Sequence, residues 1–441
     1  MNKRVMLSIA LLGAISSFAG MDRTKFIVGT YRFGDKIPGF RTEQHVKELK
    51  DAGIDCVYSM RPGTNAAAFY ATMDLFEKYG VGCITEGGEG IGAGCPLGAT
   101  PRGQMRERLP PERYLDAAKK FRSHSALWGL DVRDEPSGVD LPYLGEAVQR
   151  VRQLHSNQFP YVNLFPSYAR VATNSASLTA SQLGSFSYKD YIDDYCRYIP
   201  LDYISFNIYP YSKIKPNGIP VLFENLRIVS DACLRTGKSL WFVGQANTWF
   251  KDPPLAENCM RYQAYTAMAF GAETMVWACW TKGWRYNNVY SENGERTVVY
   301  DRVKRVNGEL HFLGDKFMRF RRTATHLVGY AGHPEYLKGS GCVSEDAAFT
   351  GWFRDVRAED GGPLLVAEMV PRAAARANAI FVFASDDPYD EHPQQRTIRF
   401  TPHGDTVRAF GGTGPITVTK GEDSICTISL MSNNAALVVV K

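Results

Sequence analysis

Two carboxylic acids, Asp134 and Glu135, stand side by side where an apolar run beginning at Leu127 gives way to Pro136. Acids at a strand tip are costly if buried and ordinary if solvated. Proton donation near neutral pH needs a carboxyl kept protonated by partial burial or by a neighbouring negative charge. The two acids are candidates for such chemistry, although side chains alternate along a strand and Asp134 and Glu135 can therefore face opposite ways. The structural alternative makes Asp134 an N-cap for the following segment and Glu135 a solvated tip residue. Further residues of suitable chemistry end other apolar runs: Tyr31 with Arg32, Glu86 with Glu89 just beyond, Asn163, Asn207 with Tyr209, Gln245 with Asn247, and Trp280 with Lys282. Carboxylates and amides bond hydroxyl groups, and flat rings stack on the apolar faces of sugars, so this set suits a polyhydroxylated ligand. Each has a plainer reading. Glu86 and Glu89 serve equally as loop acids in "TEGGEG", and Trp280 and Trp284 equally as core. Tyr209 is the stronger ligand residue, because Pro210 marks the end of its strand.

These tips need elements to carry them. From Phe26 to about Trp280, short apolar runs alternate with segments of helical period. "TEQHVKELKDAG" places Val46 and Leu49 at helical spacing, with Thr42 as N-cap and Gly53 as stop. "NAAAFYATMDLFEKYG", "PPERYLDAAKKFRSH", "LPYLGEAVQRVRQLH", "YKDYIDDYCRYI", "VLFENLRIVSDACLRTG" and "LAENCMRYQAYTAMAFG" follow the same logic between strands. "YDRVKRVNGELHFLGDKFMRF" supplies a last helix. Eight strands separated by helices imply parallel pairing, and about 250 residues suit a closed (β/α)8 TIM barrel. An open doubly wound sheet is the competitor, and no GxGxxG follows the first strand to support it. In a (β/α)8 barrel the site lies at the C-terminal ends of the strands, where the residues above collect. From about Thr325 the texture turns to short β-branched runs such as "PLLVAEMVP", "AIFVFASDD" and "RTIRFTP", divided by turn-rich segments. That reads as a small C-terminal antiparallel β-sandwich. The expected division is residues 1–20 as signal peptide, 21–324 as barrel and 325–441 as accessory β-sandwich.

Composition narrows the function classes. The 441 residues carry a net charge of +5, 44% hydrophobic and 22% charged residues. No long basic block is present, so nucleic acid is not an expected partner. "MNKRVMLSIALLGAISSFAG" has the positive start, short apolar stretch and small residues of a secretory signal, too short to span a bilayer. The chain is thus expected to be exported, periplasmic or extracellular, without membrane insertion after cleavage. Nine cysteines are scattered without CxxC pairs or zinc-like spacing, so no metal and no cofactor is expected. "GSFS" lacks the GxSxG elbow, and "GGEGIGAG" lacks the Lys-Ser/Thr of a phosphate loop. His124 and His155 are placed to cap helix ends.

"WGLDVRDEPS" resembles the fourth-strand signature of barrel glycoside hydrolases related to the β-galactosidase and cellulase clan. "YVNLFP", "DYISFNIYP" and the Gln of "WFVGQAN" are similar to exported glycosidase-like proteins of polysaccharide-degrading gut bacteria, and "ALVVVK" resembles the end of their β-domain. The resemblance implies a carbohydrate substrate and makes Glu135 the general acid, with Asp134 beside it. It departs at strand seven, where the clan's retaining mechanism uses a Glu nucleophile and this sequence has Gln245. An amide cannot take that role. Three readings remain. Another acid, Glu86, Glu89 or Asp131, serves as base in an inverting reaction. Alternatively the substrate supplies its own nucleophile, with Gln245 and Asn207 orienting it. Or the barrel binds glycans without cleaving them.

Overall fold

The computed structural model describes residues 20–63, 65–86, 102–108, 124–154, 158–211, 218–281, 286–344, 349, 351–373, 377–390 and 392–441. The first 19 residues, Glu89 and the rest of the glycine-rich loop, the "PPERYLDAAKKFRSH" helix, His155, Lys282 and Trp284 lie outside the described residues.

Eight strands close into a barrel in consecutive order: β1 (Ile27–Tyr31), β2 (Cys56–Met60), β3 (Gly82–Thr85), β4 (Leu127–Asp134), β5 (Phe159–Leu164), β6 (Tyr203–Asn207), β7 (Ser239–Gln245) and β8 (Ala272–Ala278). All neighbours are parallel, and β1 returns to β8 with Ile27 opposite Thr274 to complete the ring. The described helices are α1 (Glu43–Asp51), α2 (Ala66–Tyr79), the single turn α3 (Met105–Arg108), α4 (Leu141–Leu154), α5 (Tyr188–Tyr198), α6 (Gly218–Thr236), α7 (Glu257–Ala269) and α8 (Val298–Phe317). Several of them start at side-chain caps. Thr42 accepts the His45 N–H before α1, Asn65 the Ala68 N–H before α2 and Ser187 the Asp190 N–H before α5. Gly80 ends α2 in the left-handed conformation that its missing Cβ permits.

Strands of a parallel barrel are buried on both faces, one by helices and one by the interior. Every residue of β1, β2, β3, β5 and β6 is accordingly buried. The interior is filled by aromatic rings. Tyr203 stacks on Trp241 at 4.0 Å, Tyr161 stacks on Tyr203 at 6.4 Å, and Tyr58 meets Tyr161 edge-on at 5.1 Å. This pile is a floor, so ligand space exists only above it, at the strand C-termini.

Beyond α8 the chain is antiparallel. β9 (Phe320–Val328), β11 (Leu364–Pro371), β12 (Asn378–Ala384), β14 (Val407–Gly411), β15 (Gly414–Ile416) and β18 (Ala435–Val440) form a six-stranded sheet in the order β15-β14-β18-β12-β11-β9. β10 (Phe353–Ala358), β13 (Gln395–Pro402), β17 (Cys426–Met431) and β16 (Thr419–Lys420) form a four-stranded sheet in the order β10-β13-β17-β16. The architecture is the TIM barrel followed by an antiparallel β-sandwich that the sequence pattern predicts. β9 starts at Phe320 and pairs with β11 along its length, so Phe320 to Ala324 already belong to the sheet. Among the described residues, no helix is long and apolar enough to cross a membrane.

Candidate functional site

β4 carries the two acids. Its ladder to β5 runs on to Asp134 opposite Asn163, and the Glu135 N–H still donates to the Asn163 carbonyl at 2.8 Å. Glu135 then turns to φ +48°, a left-handed conformation that costs a residue with a Cβ about 1–3 kcal/mol. Pro136 follows, its carbonyl held by the Tyr191 hydroxyl of α5 at 2.6 Å. The turn cancels the strand's alternation, and both Asp134 and Glu135 line one cavity of about 300 Å³.

The two acids are held by a pair of amides. Asn163 Nδ2 donates to Asp134 Oδ1 at 3.1 Å and to Asn207 Oδ1 at 2.8 Å, and Asn207 Nδ2 donates to Glu135 Oε1 at 3.1 Å. Behind them, Ser205 Oγ donates to Asn163 Oδ1 at 3.0 Å, and the Tyr161 hydroxyl joins Ser205 to the Tyr31 hydroxyl. Each amide's orientation is thus fixed from the barrel interior. Burial and the adjacent Asp134 carboxylate push Glu135 up to about 8, against the downward pull of the Asn207 hydrogen bond. Burial also raises Asp134, opposed by Asn163 and the Arg32 guanidinium.

The cavity brings together Tyr31, Arg32, Asp134, Glu135, Asn163, Asn207 and Tyr209 of the expected residues, while Glu86, Gln245, Asn247 and Trp280 stand outside its lining. Glu86, at the tip of β3, lies between Arg32 at 2.6 Å and Arg61 at 2.9 Å. Gln245 is fully buried: its Oε1 accepts the Tyr211 N–H at 2.9 Å, and its Nε2 donates to the carbonyls of Tyr211 at 2.8 Å and Asn247 at 2.9 Å. Trp280 is likewise fully buried, packed against Tyr290 and Tyr300. Asp131 sits beneath the cavity, bonded by the Ser59 hydroxyl. Burial and the nearby Asp134 and Glu86 charges hold it well above the usual carboxylate range.

The cavity also has a wall that sequence reasoning missed: Phe165, Tyr168, Gln182 and Trp249. Tyr168 and Trp249 each lie four residues past a strand end, Leu164 and Gln245, and that spacing was the available signal. Gln182 comes from the polar segment after β5. This loop doubles back on itself, with the Leu183 N–H on the Arg170 carbonyl and the Ala172 N–H on the Ser185 carbonyl, which brings residue 182 over the mouth. Tyr209 and Trp249 approach each other at 6.3 Å. The site thus combines acids and amides with aromatic rings.

A possible cation cluster, Asp74, Glu77 and His124, lies at the opposite end of β4 from Glu135. There His124 Nε2 pairs with Asp74 while Nδ1 accepts the Ala126 N–H, ordinary surface bonding away from the cavity. The eight described cysteines are all free thiols.

No protein-family model matches the sequence, and no curated protein matches it. Solved structures with a similar course of chain exist. A β-galactosidase from the psychrophilic Marinomonas ef1 has a TM-score of 0.48 at 11% identity, over 66% of this chain and 61% of that one. A glucosidase from Croceicoccus marinus has a TM-score of 0.47 at 11% identity, over 95% and 96% of the two chains. An endo-β-1,4-mannanase from Thermotoga petrophila has a TM-score of 0.46 at 10% identity, over 94% and 93%. By name these are glycoside hydrolases. The chain spans less than two thirds of the β-galactosidase.

Proposed function

We propose that the barrel mouth is the active site of a glycoside hydrolase acting on an oligo- or polysaccharide, with Glu135 as general acid, Asp134 as its partner and an atypical second catalytic group. A glycosidic oxygen leaves poorly unless it receives a proton as the bond breaks. The single observation that supports this most is the Glu135 carboxyl, turned into the cavity and pushed up to about 8 by burial and Asp134. Asn207 occupies Oε1, so the proton belongs on Oε2. Asn163, Asn207 and Tyr31 would bond sugar hydroxyls, and Tyr209 would stack on the ring. Glu86 would act through Arg32, and Gln245 and Trp280 by holding the β7 and β8 tips in place. In the same proposal, residues 21–324 are the catalytic body, 325–441 an accessory domain and 1–20 an export signal.

A second reading, glycan binding without cleavage, is favoured by one observation: the residue at the β7 tip is an amide whose oxygen and nitrogen are both bonded to backbone. The two readings separate in one experiment. Purified protein is incubated with plant and host glycans, and products are read by chromatography. The hydrolase reading expects released sugar from wild type and none from Glu135→Gln, which keeps the Asn207 contact and the fold. Calorimetric binding with no product from either protein would support the second reading. Unchanged turnover in Glu135→Gln would remove Glu135 from the mechanism.

A further inference from the structure

Among the described residues, Asp134 and Glu135 are the two acids of the cavity lining, and they are neighbours on one strand tip held by one pair of amides. The tips of β5, β6, β7 and β8 end in Asn163, Asn207, the backbone-bonded Gln245 and Ala278. A retaining reaction through an enzyme carboxylate needs a second acid about 5–5.5 Å from the first across the scissile bond. None of these four tips offers one. What stands beside the proton donor instead is an acid with Oδ1 engaged by Asn163, leaving Oδ2 as an acceptor. The same cavity is lined by the aromatic rings of Tyr168, Tyr209 and Trp249. An acceptor for an N–H and an apolar surface for a methyl group are the two contacts an acetamido substituent requires.

We propose that the substrate class is the β-linked 2-acetamido-2-deoxyhexosides, whose acetamido oxygen stands in for a carboxylate that these four tips do not supply, while Asp134 holds the acetamido N–H. This deepens the hydrolase reading and rests on it. In the first step, Glu135 gives its Oε2 proton to the glycosidic oxygen as the C1–O bond breaks. The acetamido carbonyl oxygen bonds to C1 on the opposite face, closing an oxazolinium ring. The positive charge that develops on its nitrogen is met by the Asp134 carboxylate. In the second step, water attacks C1, its proton passes to the Glu135 carboxylate, and the ring C1–O bond breaks to restore the acetamide. One water is consumed, two hydroxyl-bearing products form, and the configuration at C1 is retained.

The test uses the full-length protein with aryl β-glycosides of gluco and galacto configuration, each made with a 2-acetamido and with a 2-hydroxy group. The proposal expects cleavage of the 2-acetamido set at least 100-fold faster and a first product of retained configuration by NMR. It also expects rates that fall stepwise as the acetyl group is fluorinated, because fluorine weakens the internal nucleophile. Asp134→Asn should lower kcat by about 100-fold or more with KM changed far less. Equal or faster cleavage of the 2-hydroxy set, inversion at C1, or insensitivity to fluorination overturns this inference and leaves the hydrolase reading standing. Cleavage of neither set overturns this inference, and the glycan screen then decides the hydrolase reading.

Discussion

Glu135 experiences three opposing influences, and each has a named source. Burial and the Asp134 charge disfavour its ionised form, while Asn207 donates to that form and favours it. Activity that needs the protonated acid is present below the folded-state pKa and lost as pH rises through it. Replacing Asp134 by Asn removes a charge that raises Glu135, so the alkaline limb of kcat/KM should move to lower pH. Replacing Asn207 by Ala removes the bond that lowers it, so the limb should move to higher pH. Shifts in the same direction in the two variants, read from complete pH profiles, would contradict this balance. The acid pair was legible in the sequence because an apolar strand running into two acids and a proline is an unusual local pattern. Its orientation was not: alternation predicts divergent side chains, and only the left-handed turn at Glu135 brings both into one cavity.

At the scale of elements, the strand–helix alternation was readable because several helices carry their own caps and the strands are short, largely buried runs. What could not be read was which face of a strand tip meets ligand. Gln245 shows why. Its partners are the backbone of Tyr211, 34 residues earlier, and of Asn247, so its role depends on a loop packing that no local pattern encodes. The same contacts make a prediction. Gln245→Glu restores the carboxylate of the resembled clan but loses two donated hydrogen bonds and sets a buried charge against two carbonyls. It should destabilise the protein by about 2–5 kcal/mol, measured as a lowered denaturation midpoint, and should add no hydrolytic activity. A variant of unchanged stability with faster turnover would show that residue 245 faces the substrate. Two inner strands of the sandwich were hard to see for a related reason. β14 and β17 are short, partly exposed and mixed in polarity, so they lack the dense apolar signal of β11, β12 and β18.

Over the whole molecule, barrel and sandwich share one apolar core. The six-stranded sheet is hydrophobic on both faces. Leu365, Ala367, Phe381, Phe383 and Leu437 join the barrel core, while Val366, Ile380, Val382 and Val438 pack in the core between the two sheets. That double burial explains the unbroken apolar runs of β11, β12 and β18. Phe381 meets Phe317 of α8 at 5.5 Å and Tyr265 of α7 at 6.3 Å, and Phe383 meets Tyr262 of α7 at 5.5 Å. α7 directly follows β7 and the Trp249 loop, so the sandwich braces the outer side of the element behind one cavity wall. Phe381→Ala should cost about 3–5 kcal/mol and lower a single calorimetric transition. Two separate transitions, with one unmoved, would show that the sheets and barrel unfold independently.

The claim on which the functional account rests is that Glu135 protonates a departing sugar oxygen, and leaving-group dependence probes this most directly. Wild type and Glu135→Gln are compared on an unactivated oligosaccharide and on a dinitrophenyl glycoside of the same sugar, whose leaving group departs without protonation. The account predicts that the variant loses about 100- to 10,000-fold on the oligosaccharide and retains cleavage of the dinitrophenyl glycoside. Equal losses on both substrates, or no loss on either, would contradict it.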